Sequence, residues 1–177
     1  MKIENAECRN VLRSFANTGE HMSNVTLREA TADEAEVVAA TLRAAFEEYR
    51  GWLDPPSGAH GETAEKIRRE MRDAQVVLAQ LGDTIAGCVF YAPVNQHIDL
   101  FRLAVLPEYR GRGIGRALIA YVEQRALELG FQRVQLGVRL QLPRNRALYE
   151  RLGYQFVEAR THAGYSEPTY AILEKIL

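Results

Sequence analysis

Residues 99–119, "DLFRLAVLPEYRGRGIGRALI", decide the fold. The first half reads as a strand that ends at Pro107, where a ladder hydrogen bond can no longer be made. The second half is a glycine-rich turn, Arg110-Gly111-Arg112-Gly113-Ile114-Gly115, that opens a helix. Ile114, Ala117, Leu118, Tyr121, Val122 and Leu129 then fall along one helical stripe, so a helix is expected over 113–129, closed by Gly130. Glycines at 111, 113 and 115 let the backbone approach a ligand with no Cβ in the way. The helix start offers unpaired N–H groups and the positive end of a dipole. Such a start suits a pyrophosphate, and Arg110, Arg112 and Arg116 add positive charge. Two familiar phosphate loops do not fit: a Rossmann spacing would need its third glycine at Leu118, and a P-loop would need Lys and Ser/Thr at Arg116 and Ala117.

Working outward, "RVQLGVR" at 133–139 is a second strand, expected to lie parallel to the first across the helix. Residues 144–152, within the stretch that ends "NRALYERLGY", are a short helix stopped by Gly153, with Asn145 and Tyr149 on one face. "YQFVEAR" and "TYAILEKI" read as the last two strands. Upstream, "AQVVLAQL" and "TIAGCVFYAP" flank Gly82-Asp83 as a hairpin. "VTLREA", from Val25, is a strand, and Thr31 with Glu34 forms a capping-box signature. Val37, Val38, Thr41, Leu42, Ala45, Phe46 and Tyr49 give an amphipathic helix over 32–50. Residues 51–61 are turn-rich loop, and 62–73 read as a charged surface helix. Together these elements predict an α/β fold, a central mixed sheet flanked by helices.

A chain of 177 residues is about one domain, here assigned to 25–177, with 1–24 a polar N-terminal extension in which Met22 is an alternative start. A net charge of -1 gives no electrostatic reason to expect nucleic acid. Apolar runs fall short of the ~20 residues a membrane span needs. Two cysteines, Cys8 and Cys88, are too few for a disulfide framework, and the four histidines lack metal-ligand spacing. With no secretory signal visible, a cytoplasmic setting is the expectation.

The turn and the tyrosine helix together resemble the acetyl-coenzyme A site of the GNAT acetyltransferase superfamily. Arg110, Gly113 and Gly115 match its Q/R-x-x-G-x-G/A motif, and "NRALYERLGY" resembles its second signature. The resemblance spans roughly 25–177, with its specific part at about 100–157. It implies a mostly antiparallel mixed sheet with a splayed parallel pair. It also implies an acetyl-CoA-dependent N-acetyltransferase without a metal, and a homodimer by likeness only. Backbone groups of Leu103, Ala104 and Val105 would meet the pantetheine arm. The turn from Arg110 through Gly111, Arg112, Gly113, Ile114 and Gly115 to Arg116 would hold the pyrophosphate, and Asn145 would contact the coenzyme. Tyr149 would protonate the leaving thiolate, against the plainer reading of a packed core tyrosine.

An amine must be neutral to attack a thioester. For a lysine-type amine at pH 7 that costs ~4.6 kcal/mol, for an α-amine only ~1 kcal/mol. Asp99 is the candidate base, at the place where histone-type members carry a glutamate. It would act through a water, or else is simply a strand-end aspartate facing solvent. Arg102 would bind an acidic acceptor or pair with a surface carboxylate. The acceptor pocket would draw on Tyr49, Trp52, Leu53 and Asp54, with His162, Tyr165, Glu167 and Tyr170 opposite. A small-molecule amine is the first expectation, transferred to directly in a ternary complex. A protein N-terminus or lysine is the second, and a non-catalytic acyl-CoA-binding domain the reading from another class.

Overall fold

The computed structural model describes residues 25–177. Cys8, Met22 and the assignment of 1–24 as an extension lie outside the described residues. The strands are β1 (Val25–Glu29), β2 (Gln75–Leu81), β3 (Thr84–Val94), β4 (His97–Val105), β5 (Arg133–Arg139), β6 (Gln155–Arg160) and β7 (Tyr170–Ile176). The helices are α1 (Ala35–Phe46), α2 (Ala64–Glu70), α3 (Ile114–Glu128) and α4 (Pro143–Arg151). Single 3-10 turns at Ala32–Glu34 and Glu47–Tyr49 extend α1 at both ends. No helix of the described residues is long and apolar enough to cross a membrane.

The strands form one sheet in the order β1-β2-β3-β4-β5-β7-β6, antiparallel except for the β4–β5 pair. Three layers follow from the burial pattern. Val76, Leu78, Cys88 and Phe90 pack on α1 and on Ile67 of α2, while Val77, Ala79, Val89 and Tyr91 pack on α3. β2 and β3 are therefore buried on both faces, which is why their sequences are nearly unbroken apolar runs.

At α1, the Thr31 N–H donates to Glu34 at 2.9 Å, one half of the predicted capping box. Glu34 also binds Arg28 of β1 through both its oxygens. The arginine, first, and the Thr31 N–H, second, hold its carboxyl down at about 2. Gly130 and Gly153 take positive φ, 84° and 93°, just past α3 and α4, as helix-ending glycines do.

Two irregularities place the site. β4 and β5 pair only at Ile98↔Val134, Asp99↔Gln135 and Leu100↔Leu136. Beyond that β4 stays with β3 and β5 with β7, so the two strands part. In addition, Cys88 and Phe90 of β3 face Ala104 and Phe101, so β4 carries one residue extra. The bulge is at Arg102, whose φ is 51°.

Candidate active site

The bulge changes which way β4 faces. Ile98 and Leu100 point to the α3 side; strict alternation would send Arg102 there too. Instead Arg102 turns to the α1–α2 side, and Leu103 and Val105 take up the α3 side. There they meet the glycine turn: a Cβ built on Gly115 would lie 3.7 Å from Val105 Cγ2 and 3.9 Å from Leu103 Cδ2.

A cavity of about 360 Å³ fills this place. Its floor is Leu103, Ala104 and Val105, and one wall is Arg110, Gly111, Gly113, Ile114, Gly115 and Arg116. Asn145, Leu148 and Tyr149 of α4 form the other wall, and Ala45, Phe46 and Tyr49 close it from α1. Gly111 and Gly113 have φ of 74° and 80°, the left-handed region that favours glycine. Gly115 is different: the protein around it would accept a Cβ at ordinary contact distance, so the free space serves the cavity. Open space against the first turn of α3 fits a bulky anion.

Tyr149 is 8% exposed, and its ring stands edge-on to Tyr154 at 5.9 Å. Burial, first, and the neighbouring Tyr49, second, push its phenol well above the ordinary range. Tyr49 is raised by burial too, opposed by a hydrogen bond with Asn145. Three predicted residues from two distant segments thus converge. Tyr154 is core, 2% exposed.

Arg110 is held by the protein. Its Nε donates to Val105 O at 3.0 Å, Nη2 to Ala45 O at 2.9 Å, and Nη1 lies 2.5 Å from Glu48. It straps the end of α1 over the cavity. Arg112 lies outside the cavity lining, its guanidinium 5.3 Å from the Tyr109 ring centroid.

Asp99 does not line the cavity; it sits on β4 between Ala92 and Gln135, four residues before Leu103. Burial raises its pKa, with His97 and Arg160 opposing. Of the two uses open to Arg102, pairing with carboxylates is the one seen: it binds Glu62 at 2.9 Å, and Glu70.

On the acceptor side, Trp52 is 53% exposed, its Nε1 donating to Glu48 O at 2.7 Å. Leu53 is buried and Glu167 exposed. The Tyr165 hydroxyl donates to Asp54, and the Asp54 N–H donates to Gln141 at 3.0 Å. His162 stands edge-on to Tyr170 at 4.7 Å and lies beside Arg139. Burial and Arg139 lower the pKa of His162.

Sequence reasoning passed over Ala45, Phe46 and Leu148 of the lining because wall residues on amphipathic helices look like core. It also passed over Arg139, the half-buried last residue of β5, which donates to Pro55 O. The signal for the bulge was present: Arg102 falls in phase with Ile98 and Leu100, a charge where strict alternation demands core.

The comparisons with known proteins fall in with this geometry. A family model described as "Acetyltransferase (GNAT) family" matches residues 39–154. Among solved structures, the PaiA N-acetyltransferase of Thermoplasma acidophilum in complex with coenzyme A superposes with a TM-score of 0.73 at 19% identity, over 87% of this chain and 99% of that one. The ribosomal-protein-S18-alanine N-acetyltransferase of Escherichia coli gives 0.70 at 18%, over 86% and 93%. A GNAT family acetyltransferase of Elizabethkingia anophelis with acetyl-CoA bound gives 0.65 at 19%, over 88% and 99%. The chain belongs to the GNAT acetyltransferase family. It is an acyltransferase of the acetyl-CoA-dependent kind, and the mixed sheet with its one parallel pair is the expected fold.

Proposed function

We propose that this protein transfers an acetyl group from acetyl-CoA to a primary amine of a small molecule, by direct attack in a ternary complex. The observation that carries the reading is the single cavity shared by the parted β4 edge, the glycine turn and Tyr149. Acetyl-CoA would supply the activated acetyl group as a thioester. The N–H groups from Gly113 to Arg116 would bind its pyrophosphate, and Arg116 would add charge. Leu103, Ala104 and Val105 would offer backbone groups to the pantetheine arm, one N–H polarising the reacting carbonyl. Asn145 would orient the arm beside Tyr49.

Tyr149 would hold a proton at its hydroxyl for the departing sulfur. Its raised pKa keeps that proton in place through the working pH range. An aqueous thiol, pKa about 8.5, is the stronger acid than a phenol at about 10. Desolvation makes a bare thiolate in the cavity costly, as it does the phenolate, so a proton held within reach of the departing sulfur offsets that cost. Asp99, its basicity raised by burial, would take the amine proton through a water. Tyr49, Trp52, His162 and Tyr165 would border the acceptor. The ties from Asp54 to Tyr165 and Gln141, and from Arg139 to Pro55 O, stitch the loop after α1 to β5 and the β6–β7 hairpin. A stitched acceptor side suits a small amine better than a polypeptide.

The test is thermal unfolding with acetyl-CoA, CoA, ATP and NADH at matched concentrations. Ligand at ~100 times its dissociation constant should stabilise by ~2.7 kcal/mol, a shift of several degrees. A shift with both CoA species alone supports the reading and opens a screen of amines, peptides included, by thiol release. No shift with either CoA species overturns it, and release with peptides alone would overturn the small-molecule acceptor.

A further inference from the structure

Arg102 stands where no arginine is comfortable. A non-glycine residue at a φ of 51° is uncommon, and it persists only where its surroundings hold it. The surroundings here are specific. The guanidinium receives Glu62 on one nitrogen and Glu70 on another, and lies 5.4 Å from the Phe90 ring centroid. Glu62 is only 5% exposed, and its other oxygen is buried with no hydrogen-bond partner. Its backbone carbonyl is fixed in turn by Arg43 of α1, at 2.6 Å. Removing Arg102 would therefore leave a buried carboxylate without its countercharge.

The far side of the bulge is shaped to match. Gly87 of β3 faces Val105, and a Cβ there would stand 2.5 Å from Ala104 O. Only glycine admits the carbonyl that the bulge pushes against β3. The bulge is thus gripped from the α1–α2 layer by its side chain and accommodated within the sheet by an opposed glycine. Its consequence is the phase slip that sends Leu103 and Val105 to the cavity.

We propose that Arg102 is a positioning residue: held by Glu62 and Glu70, it keeps β4 in the left-handed bulge that turns Leu103, Ala104 and Val105 to the coenzyme. The guanidinium lies outside the cavity lining; it acts through the backbone of the three residues that follow it. The proposal rests on the reading of that edge as the coenzyme-binding edge.

The experiment is acetyl-CoA affinity by calorimetry, below the unfolding temperature, for the wild type, Arg102→Ala, Arg102→Gly and the isosteric pair Glu62→Gln/Glu70→Gln. Arg102→Ala loses the grip and disfavours positive φ, and should weaken binding ~10-fold or more. Arg102→Gly also loses the grip but takes positive φ freely, and should recover most of that loss. The glutamine pair should weaken binding with the arginine still present, and decides the matter together with Arg102→Gly if Arg102→Ala does not fold. Wild-type affinity in Arg102→Ala or, where that does not fold, in the glutamine pair would overturn the proposal. So would an Arg102→Gly as weak as Arg102→Ala, which would assign the effect to the charge. A role in stability alone would lower Tm and leave these affinities unmoved. A wild type that binds no acetyl-CoA would remove the coenzyme reading itself, and this proposal with it.

Discussion

Tyr149 is a phenol almost cut off from water, on a helix that ends two residues later. Burial raises its pKa, so it is protonated throughout any practical assay and contributes no limb to the pH profile. In the proposed reaction its hydroxyl proton is needed only as the thiolate departs. Tyr149→Phe should therefore lower turnover ~100-fold or more and leave acetyl-CoA affinity intact, measured by thiol release and by calorimetry. Unchanged turnover across a pH series would take Tyr149 out of the mechanism. Gly115 gives the complementary case. A Cβ there meets only ordinary contacts, and alanine is the better helix former by about 1 kcal/mol. Gly115→Ala should keep or raise Tm while weakening acetyl-CoA binding, because the new methyl enters the space beside the first turn of α3. A variant that binds acetyl-CoA as the wild type does would place the pyrophosphate elsewhere.

At the scale of elements, what was legible followed from periodicity and punctuation. The strand "RVQLGVR" is β5 residue for residue, and α3 closes beside Gly130 as its stripe demands. The parting of β4 from β5 was not legible from pattern. Both strands carry apolar residues past the point of separation, and alternation reports burial, not which neighbour supplies the hydrogen bonds. Nor did the motif reveal the Arg110 strap, because a cation beside a glycine turn reads as a phosphate ligand until Val105 O, Ala45 O and Glu48 come into view. The start of α1 was legible and carries its own prediction. The carboxyl of Glu34 sits at about 2 when folded against about 4.3 unfolded. A depressed folded pKa stabilises fully above the unfolded value and is lost as pH falls through the folded one. Glu34→Gln should thus melt below the wild type at pH 7, by at most ~1 kcal/mol for so exposed a pair. The gap should narrow below about pH 4 and close near pH 2; a constant gap over that range would deny Glu34 its role.

At the scale of the whole molecule, the sheet is two blocks meeting at three residue pairs. β1 to β4 are backed by α1 and α2, β5 to β7 continue beyond, and α3 spans the other face of both. Past Leu100 and Leu136 the blocks separate, and the cavity occupies the opening. In an antiparallel pair a strand turns alternate backbone groups away from its partner, so β4, paired with β3 and parted from β5, turns backbone groups toward the gap. In the proposed reading a ligand laid there would act as a short substitute strand, with the end of α1, tied to the turn by Arg110, as its cover. Hydrogen exchange with acetyl-CoA should slow in segments covering 101–105, 111–117 and 45–49. β6, an edge strand with every residue exposed and none in the cavity lining, should exchange as before. Slowing centred on β6 and β7 instead would move the ligand out of the gap. Uniform slowing over the whole chain would mean the ligand raises global stability without bonding to the β4 edge.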